Sequence, residues 1–357
     1  MKYRVRLSQA HTRKPTRFRH RKTFAYREYT DCSFEAFRQQ FGIERNFFDS
    51  FLEPSGSSTP CWNTQVIRNF CETSTQSPSF RLQPEIYLDD RDRKTKRSRK
   101  YPEQLTPESL QRCLEIERFD VESIPNADYR QIRIHNLDAD SLLVLAHTSA
   151  WHQADTLRDA FAKHISCATS FRVHERVDGF VAPRFELHLP YVTLREVSSA
   201  SDQWKGRDMD QEGESWLDLP LPEFGPNPTN RPDRFLIKKA HVSTVFCVWD
   251  YSKWVAYTFS KGGPKDVADH EPDESDAEES DTEDEGPEFK EDIFAPHNVD
   301  HGLYAEDPIR DPRDYFLRVV EVWIIYILRE YTYLVRVLET CVRSWVRMTK
   351  AQHLYVL

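Results

Sequence analysis

The sequence predicts an α+β fold: an α/β layered head with a mostly buried sheet, followed by a long C-terminal amphipathic helix. Three observations carry that reading. From Asp311 to about Lys350, apolar residues recur at alternating steps of three and four: Leu317, Val320, Ile324, Ile327, Tyr331, Leu334, Leu338, Cys341, Trp345 and Met348. A period of 3.5 residues belongs to a helix that winds around a neighbour. Val242 to Trp249 is largely apolar on both faces, as a strand covered above and below must be. Phe185, Leu187, Leu189 and Tyr191 alternate with polar residues, and Ile132 and Ile134 do so within Tyr129 to His135, the pattern of half-buried strands.

Five segments follow in chain order. Residues 1–30 form a basic arm, with ten Lys or Arg and no acid among the first 27. Residues 31–124 form a helical and irregular N-terminal region. Within it Phe34, Phe37, Phe41, Phe47, Phe48 and Phe51 recur at helical spacing with Gly42 interrupting, which predicts two short helices that bury their rings. Residues 53–84 are rich in Ser, Thr and Pro and read as irregular. Thr106-Pro107-Glu108-Ser109 opens a short helix carrying Leu110 and Leu114. Between these lies a second basic run, Arg91 to Lys100, with seven cations in ten residues. Three readings of it stay open: a solvated arm or loop, a nuclear-import signal, or a phosphate-binding segment.

Residues 125–261 form the head. After the strand that starts at Tyr129, Asn136 to Ser141 supplies turn and cap residues, and Leu142, Leu143, Leu145 and Ala146 begin a helix. Leu157, Phe161 and Ile165 mark a second helix, and the strand from Phe185 is expected to end at or soon after Pro190. Residues 198–234 have loop composition. Val242 to Trp249 then turns at Asp250 to Lys253 and returns as Trp254 to Phe259.

Residues 262–310 form an acidic linker. Positions 266–292 hold fifteen Asp or Glu against one Lys; the whole chain carries −9, so the remainder is about +5. Such a stretch is too charged to bury a core and reads as a spacer. Its carboxylates would attract a divalent cation, with Asp273, Glu274, Asp276, Glu278 and Glu279 as candidate ligands and Mg²⁺ as the one candidate cofactor. Ser275, Ser280 and Thr282 each have an acid three residues on and are candidate phosphorylation sites. Residues 311–357 form the stalk helix. Asp311 is placed to accept first-turn amide hydrogens, Pro312 suits the first helical position, and Asp314 complements the helix dipole. Leu328, Val335 and Val342 widen the apolar face, while Arg329, Arg336, Arg343 and Lys350 recur every seven residues opposite.

Catalytic signatures are missing from this pattern. There is no glycine-rich phosphate loop, no His-Glu-x-x-His and no Gly-x-Ser-x-Gly, so no catalytic or cofactor-binding residue is assigned and the chain is expected not to be an enzyme. His147 and His152 are five apart, wrong for one helical face, and His164, Cys167 and Asp159 on one helix make a poor triad. Seven scattered cysteines without a Cys-x-x-Cys pair fit free thiols in a reducing compartment, and a cytoplasmic location is expected. The longest apolar run, Val322 to Leu328, is seven residues, against about 20 needed to cross a bilayer.

Tyr129-Arg130-Gln131-Ile132-Arg133-Ile134, the step Trp151-His152-Gln153, and Leu157-Arg158-Asp159-Ala160-Phe161 resemble fungal CorA-like transporter-domain proteins. His241-Val242-Ser243, Trp254-Val255-Ala256-Tyr257, the acidic linker and Asp311-Pro312-Arg313-Asp314-Tyr315-Phe316-Leu317 resemble the same group. The similarity is diffuse and covers about residues 125–350. It implies a head and stalk related to those of magnesium and other metal-ion transporters, in which a stalk helix leads to membrane spans and Mg²⁺ binds between heads. This chain departs from that pattern: it has no span and no Gly-Met-Asn selectivity motif, and Thr349 follows Met348. The expectation is a non-enzymatic CorA-like cytoplasmic module, associating with itself or a partner helix through the stalk and sensing divalent cations weakly. It would be membrane-associated if the natural chain continues past Leu357. The alternative is a nuclear or nucleic-acid-associated interaction protein using basic runs 1–27 and 91–100.

Overall fold

The computed structural model describes residues 33–40, 46–53, 63–76, 83–174, 183–197, 215–217, 234–250, 252–262, 292–296, 303 and 311–354. In chain order the elements are α1 (Phe34–Gln40), α2 (Phe47–Leu52), α3 (Thr64–Gln76), β1 (Glu85–Arg91), α4 (Pro107–Leu114) and β2 (Tyr129–His135). Then come α5 (Ala139–Thr148), a 3₁₀ turn (Trp151–Gln153), α6 (Ala154–Ile165), β3 (Ser170–His174), β4 (Arg184–Val197) and β5 (Ser215–Leu217). β6 (Arg234–Asp250), β7 (Lys253–Lys261) and α7 (Pro312–Leu354) complete the order.

The strands form one sheet in the order β1-β2-β7-β6-β4-β3, with β5 paired to β6. β2 and β7 run parallel, and the other pairs are antiparallel. The alternation of side chains along each strand divides the core. Ile132 and Ile134 of β2, Val255, Tyr257 and Phe259 of β7 and Val245 of β6 face α1–α6. Tyr129, Trp254, Ala256, Val242, Phe246 and Val248 belong to the opposite cluster, which α7 closes. The head is therefore a sheet between two helical layers, the arrangement expected for strands apolar on both sides.

Local chemistry explains where the helices start. Thr106 Oγ1 accepts from the Ser109 amide and Ser109 Oγ from the Thr106 amide, a capping box with Pro107 in the first turn. Asp138 accepts from the Ser141 amide at α5. Asp311 Oδ1 accepts from the amides of Arg313 (2.8 Å) and Asp314 (3.4 Å), so α7 begins where the sequence places it. At the end of β7, Gly262 sits at φ 67°, and a Cβ there would lie 2.9 Å from the Lys239 carbonyl oxygen.

Four expectations change. α3 occupies part of the stretch read as irregular, burying Ile67. β1, in the region expected to be helical and irregular, pairs with β2 from Glu85↔His135 to Arg91↔Tyr129. β4 continues to Val197 through Pro190. That proline is tolerated because β3 reaches only to Ser170↔His188, and among the described residues no strand beyond it needs an amide on that side. Finally, the acidic linker contains core: Ile293, Phe294, Ala295 and Leu303 are buried. Four apolar residues with local sites on the sheet override the average charge of the segment around them.

Candidate functional site

The extended helix α7 changes its surroundings along its length. Its first four turns bury Tyr315, Phe316, Val319, Val320, Val322, Trp323 and Tyr326. Tyr315 stacks on Trp254 with ring centroids 5.4 Å apart, Phe316 stacks on Phe185 at 5.4 Å, and Tyr326 meets Tyr191 edge-on at 6.0 Å. Trp323 Nε1 donates to the Phe294 carbonyl. The positions 315, 319, 322 and 326 step by four, three and four, which puts them on one face of the helix.

A buried polar lock fixes the same end. Tyr315 Oη donates to Asp292 Oδ1 at 2.7 Å, and Gln131 Nε2 donates to Tyr315 Oη at 2.8 Å. Arg133 Nη1 donates to the carbonyls of Ile293 and Ala295. Burial raises the pKa of Asp292, and the Tyr315 hydroxyl lowers it in part. Burial also raises that of Tyr315, well above the ordinary phenol, and Asp292 adds to the shift. These bonds join β2, the 292–295 segment and α7, although Arg133 Nε is buried without a partner.

On the face of α7 away from the sheet lies a second apolar series: Ile324, Leu328, Tyr331, Val335, Leu338, Val342 and Trp345. Each is between 36% and 59% exposed. Their steps are four, three, four, three, four and three, a 3.5-residue repeat sustained over three heptads. Leu317, 57% exposed, extends it by one heptad toward the start of α7. The predicted seam is thus divided. Leu317, Ile324, Tyr331, Leu338 and Trp345 lie on the exposed stripe, Ile327 and Leu334 are half-buried, and Val320 and Cys341 are buried. Leu328, Val335 and Val342, read as widening the face, are part of the stripe itself. The aromatic anchors Tyr315, Trp323 and Tyr326 were outside the predicted seam; the signal available for them was a second apolar face, Tyr315, Val319, Val322 and Tyr326, at helical spacing.

Arg91 to Lys100 is an ordered return rather than a free arm. Arg91 bridges to Ser98, the Arg99 amide donates to the Asp90 carbonyl, and Lys96 adopts φ 61°. Arg91 and Arg99 are buried, while Arg93, Lys94, Lys96, Arg97 and Lys100 are exposed. The first basic run, the carboxylates Asp273, Glu274, Asp276, Glu278 and Glu279, and Ser275, Ser280 and Thr282 lie outside the described residues. Among the described residues, no group of three or more His, Cys, Asp or Glu is arranged to hold a metal ion.

Sequence reasoning missed the buried polar cluster between α6 and the sheet. His164 Nδ1, His188 Nδ1 and His241 Nε2 lie 3.0, 2.8 and 3.3 Å from Ser243 Oγ. A serine hydroxyl has one proton and two lone pairs, so one ring accepts from it and at most two donate. Burial drives the pKa values of His164 and His188 well below the ordinary imidazole value, and that of His241 to about 4. Alongside, Lys163 Nζ donates to Asp159 and Glu186, and Arg184 Nη2 bridges the same two carboxylates. His164 and Asp159 are therefore engaged structurally, and Cys167 is an exposed thiol.

No helix among the described residues is long and apolar enough to cross a membrane. Comparison of this chain with family models, with curated proteins and with solved structures finds no significant match.

Proposed function

We propose that this chain is a non-enzymatic, CorA-like head-and-stalk module of the cytoplasm that assembles with copies of itself through α7. The observation that carries the reading is the exposed 4-3 apolar stripe from Ile324 to Trp345, turned away from the sheet on which the helix is anchored. An apolar 4-3 repeat that stays exposed over three heptads suits a second helix of matching period. A second copy supplies that partner. Arg329, Arg336 and Arg343 are exposed and lie off the stripe, which leaves its centre free of like charge. Ile325 and Val346 beside the stripe are also exposed and apolar, and a face this broad suits more than one neighbouring helix.

Light scattering across a concentration series tests the reading. The intact chain is expected to give a mass of two or more protomers, and Leu338→Asp to shift it toward one protomer with the head still folded. A single-protomer mass for the unmodified chain at every concentration overturns self-assembly. Repeating the series with and without Mg²⁺ tests cation sensing separately: an unchanged mass and melting profile would remove it while leaving assembly intact.

A further inference from the structure

A cavity of about 730 Å³ opens on the face of the sheet opposite α7, between β2, β7, α1, α4 and the α5 end. It is within the range of small-molecule sites. Leu114, Ile132, Leu145 and Val255 supply apolar wall. Arg130 and Gln153 also line it, although they are only 5% and 4% exposed.

Each of these two residues has a donor to spare. Arg130 uses Nε and Nη2 in a bidentate pair with Asp90, both at 2.7 Å, and its Nη1 makes no hydrogen bond among the described residues. Gln153 accepts from Tyr257 Oη at 2.7 Å through Oε1, and its Nε2 likewise makes none. Arg130 and Gln153 are held in place by these bonds, so the spare donors are fixed groups rather than mobile side chains. Neither donor is among the fully buried unpartnered atoms, so both reach the cavity, where a ligand acceptor would take the place of water.

The local charge selects the acceptor. Asp90 is the carboxylate gripped by Arg130, and Arg99 Nη1 lies 3.9 Å from the same group. Two guanidiniums thus converge on one carboxylate, leaving positive charge beneath the cavity. Burial alone would raise the pKa of Asp90, but Arg130 holds it below the ordinary value, so the carboxylate stays charged. At the outer lining, Glu35, Glu115 and Glu117 are acidic and disfavour a dianion such as phosphate.

We propose that this cavity binds a small organic monocarboxylate with an apolar body, its carboxylate accepting from Arg130 Nη1 and Gln153 Nε2. The anion adds to the Asp90 pair rather than competing with it. The apolar body lies against Leu114, Leu145 and Val255, where it gains burial that inorganic anions cannot. This site is independent of assembly through α7.

The test titrates the intact chain with hexanoate and with benzoate by calorimetry and ligand-observed NMR. Hexanoate or benzoate is expected to bind at least about tenfold more tightly than hexanamide, which keeps the shape without the charge, or inorganic phosphate. Gln153→Glu adds a carboxylate to the lining it shares with Arg130 and should weaken binding by about tenfold or more. Gln153→Met removes the donor at similar volume and should give an intermediate loss. Circular dichroism on both variants separates lost binding from lost folding. Absence of hexanoate and benzoate binding at about 10 mM overturns the proposal. So does equal affinity for hexanamide, tighter binding of phosphate, or undiminished binding by both folded variants.

Discussion

The two ends of α7 share one helix and one kind of composition, yet their apolar residues meet different surroundings. Near the start, Tyr315, Phe316, Trp323 and Tyr326 are buried against β4, β6, β7 and the 292–295 segment. Beyond Tyr326, the large apolar residues Leu328, Val335, Val342 and Trp345 are all more than half exposed. The spacing does not differ: both series step by four and three along the helix, and what differs is the face each occupies. The lesson is that a single helix can carry two apolar faces with the same steps, of which its own fold covers only one. One packs on the sheet, and the other is left exposed.

Mutation of each series should separate these roles. The largest effect is expected from Trp323→Ala, which removes a fully buried ring and its hydrogen bond to Phe294. A loss of about 3–5 kcal/mol, read as a shift in the urea midpoint, is typical of such a cavity. A loss below about 1 kcal/mol would mean the anchored series is not what holds α7 to the head.

Acid attacks the head by a route that the exposed stripe does not share. The His241 pKa is pushed from 6.5 to about 4 by burial, so between those values the unfolded chain binds a proton that the folded chain refuses. Stability therefore falls as pH drops from 6.5 towards 4, by about 3 kcal/mol for this ring. His164 and His188 act in the same direction, and His152, pushed to about 4, does so as well. Asp89, raised to about 6 by burial, opposes them, since its contribution is lost as pH rises through 6. Asp292 is raised too and opposes them in the same sense. Lys163, Arg184, Asp159, Lys261 and His135 act on these rings, and Glu186 is paired with Lys163 and Arg184. Burial lowers His147 and His174 as well, and six rings against two carboxylates should leave net acid destabilisation. Urea midpoints that stay flat or rise from pH 6.5 to 4.5 would contradict this.

The smallest effect is expected from Val342→Ser in the exposed series. Measured where the chain is dilute enough to be a single protomer, it should alter stability by no more than about 0.5 kcal/mol. A larger loss under those conditions would show that the stripe is covered by its own chain and would erase the contrast between the two ends.

Much of the fold was legible because it is written in short-range pattern. The caps Thr106, Asp138 and Asp311, the β6–β7 hairpin and the continuity of α7 each depend on neighbours within a few residues. The site was less legible. The heptad spacing was visible, but the sequence did not reveal that Val320 and Cys341 turn inward while Leu328 and Val335 join the outer face. An apolar residue is equally suited to a sheet, a partner helix or its own domain, and periodicity does not name the neighbour.

The sequence alone determined the helical register of α7, its start at Asp311 and Pro312, and the central strands, because backbone geometry converts spacing directly into a face. Tertiary structure decided which faces are occupied. It brought His188 opposite Ser243, with His164 reaching the same hydroxyl across 79 residues. It drew Phe294 out of an acidic stretch into the core, and it left Arg130 and Gln153 with donors lining a cavity. Those outcomes depend on strand register and long-range docking, where the free energy lies in pairs of residues that no local spacing connects.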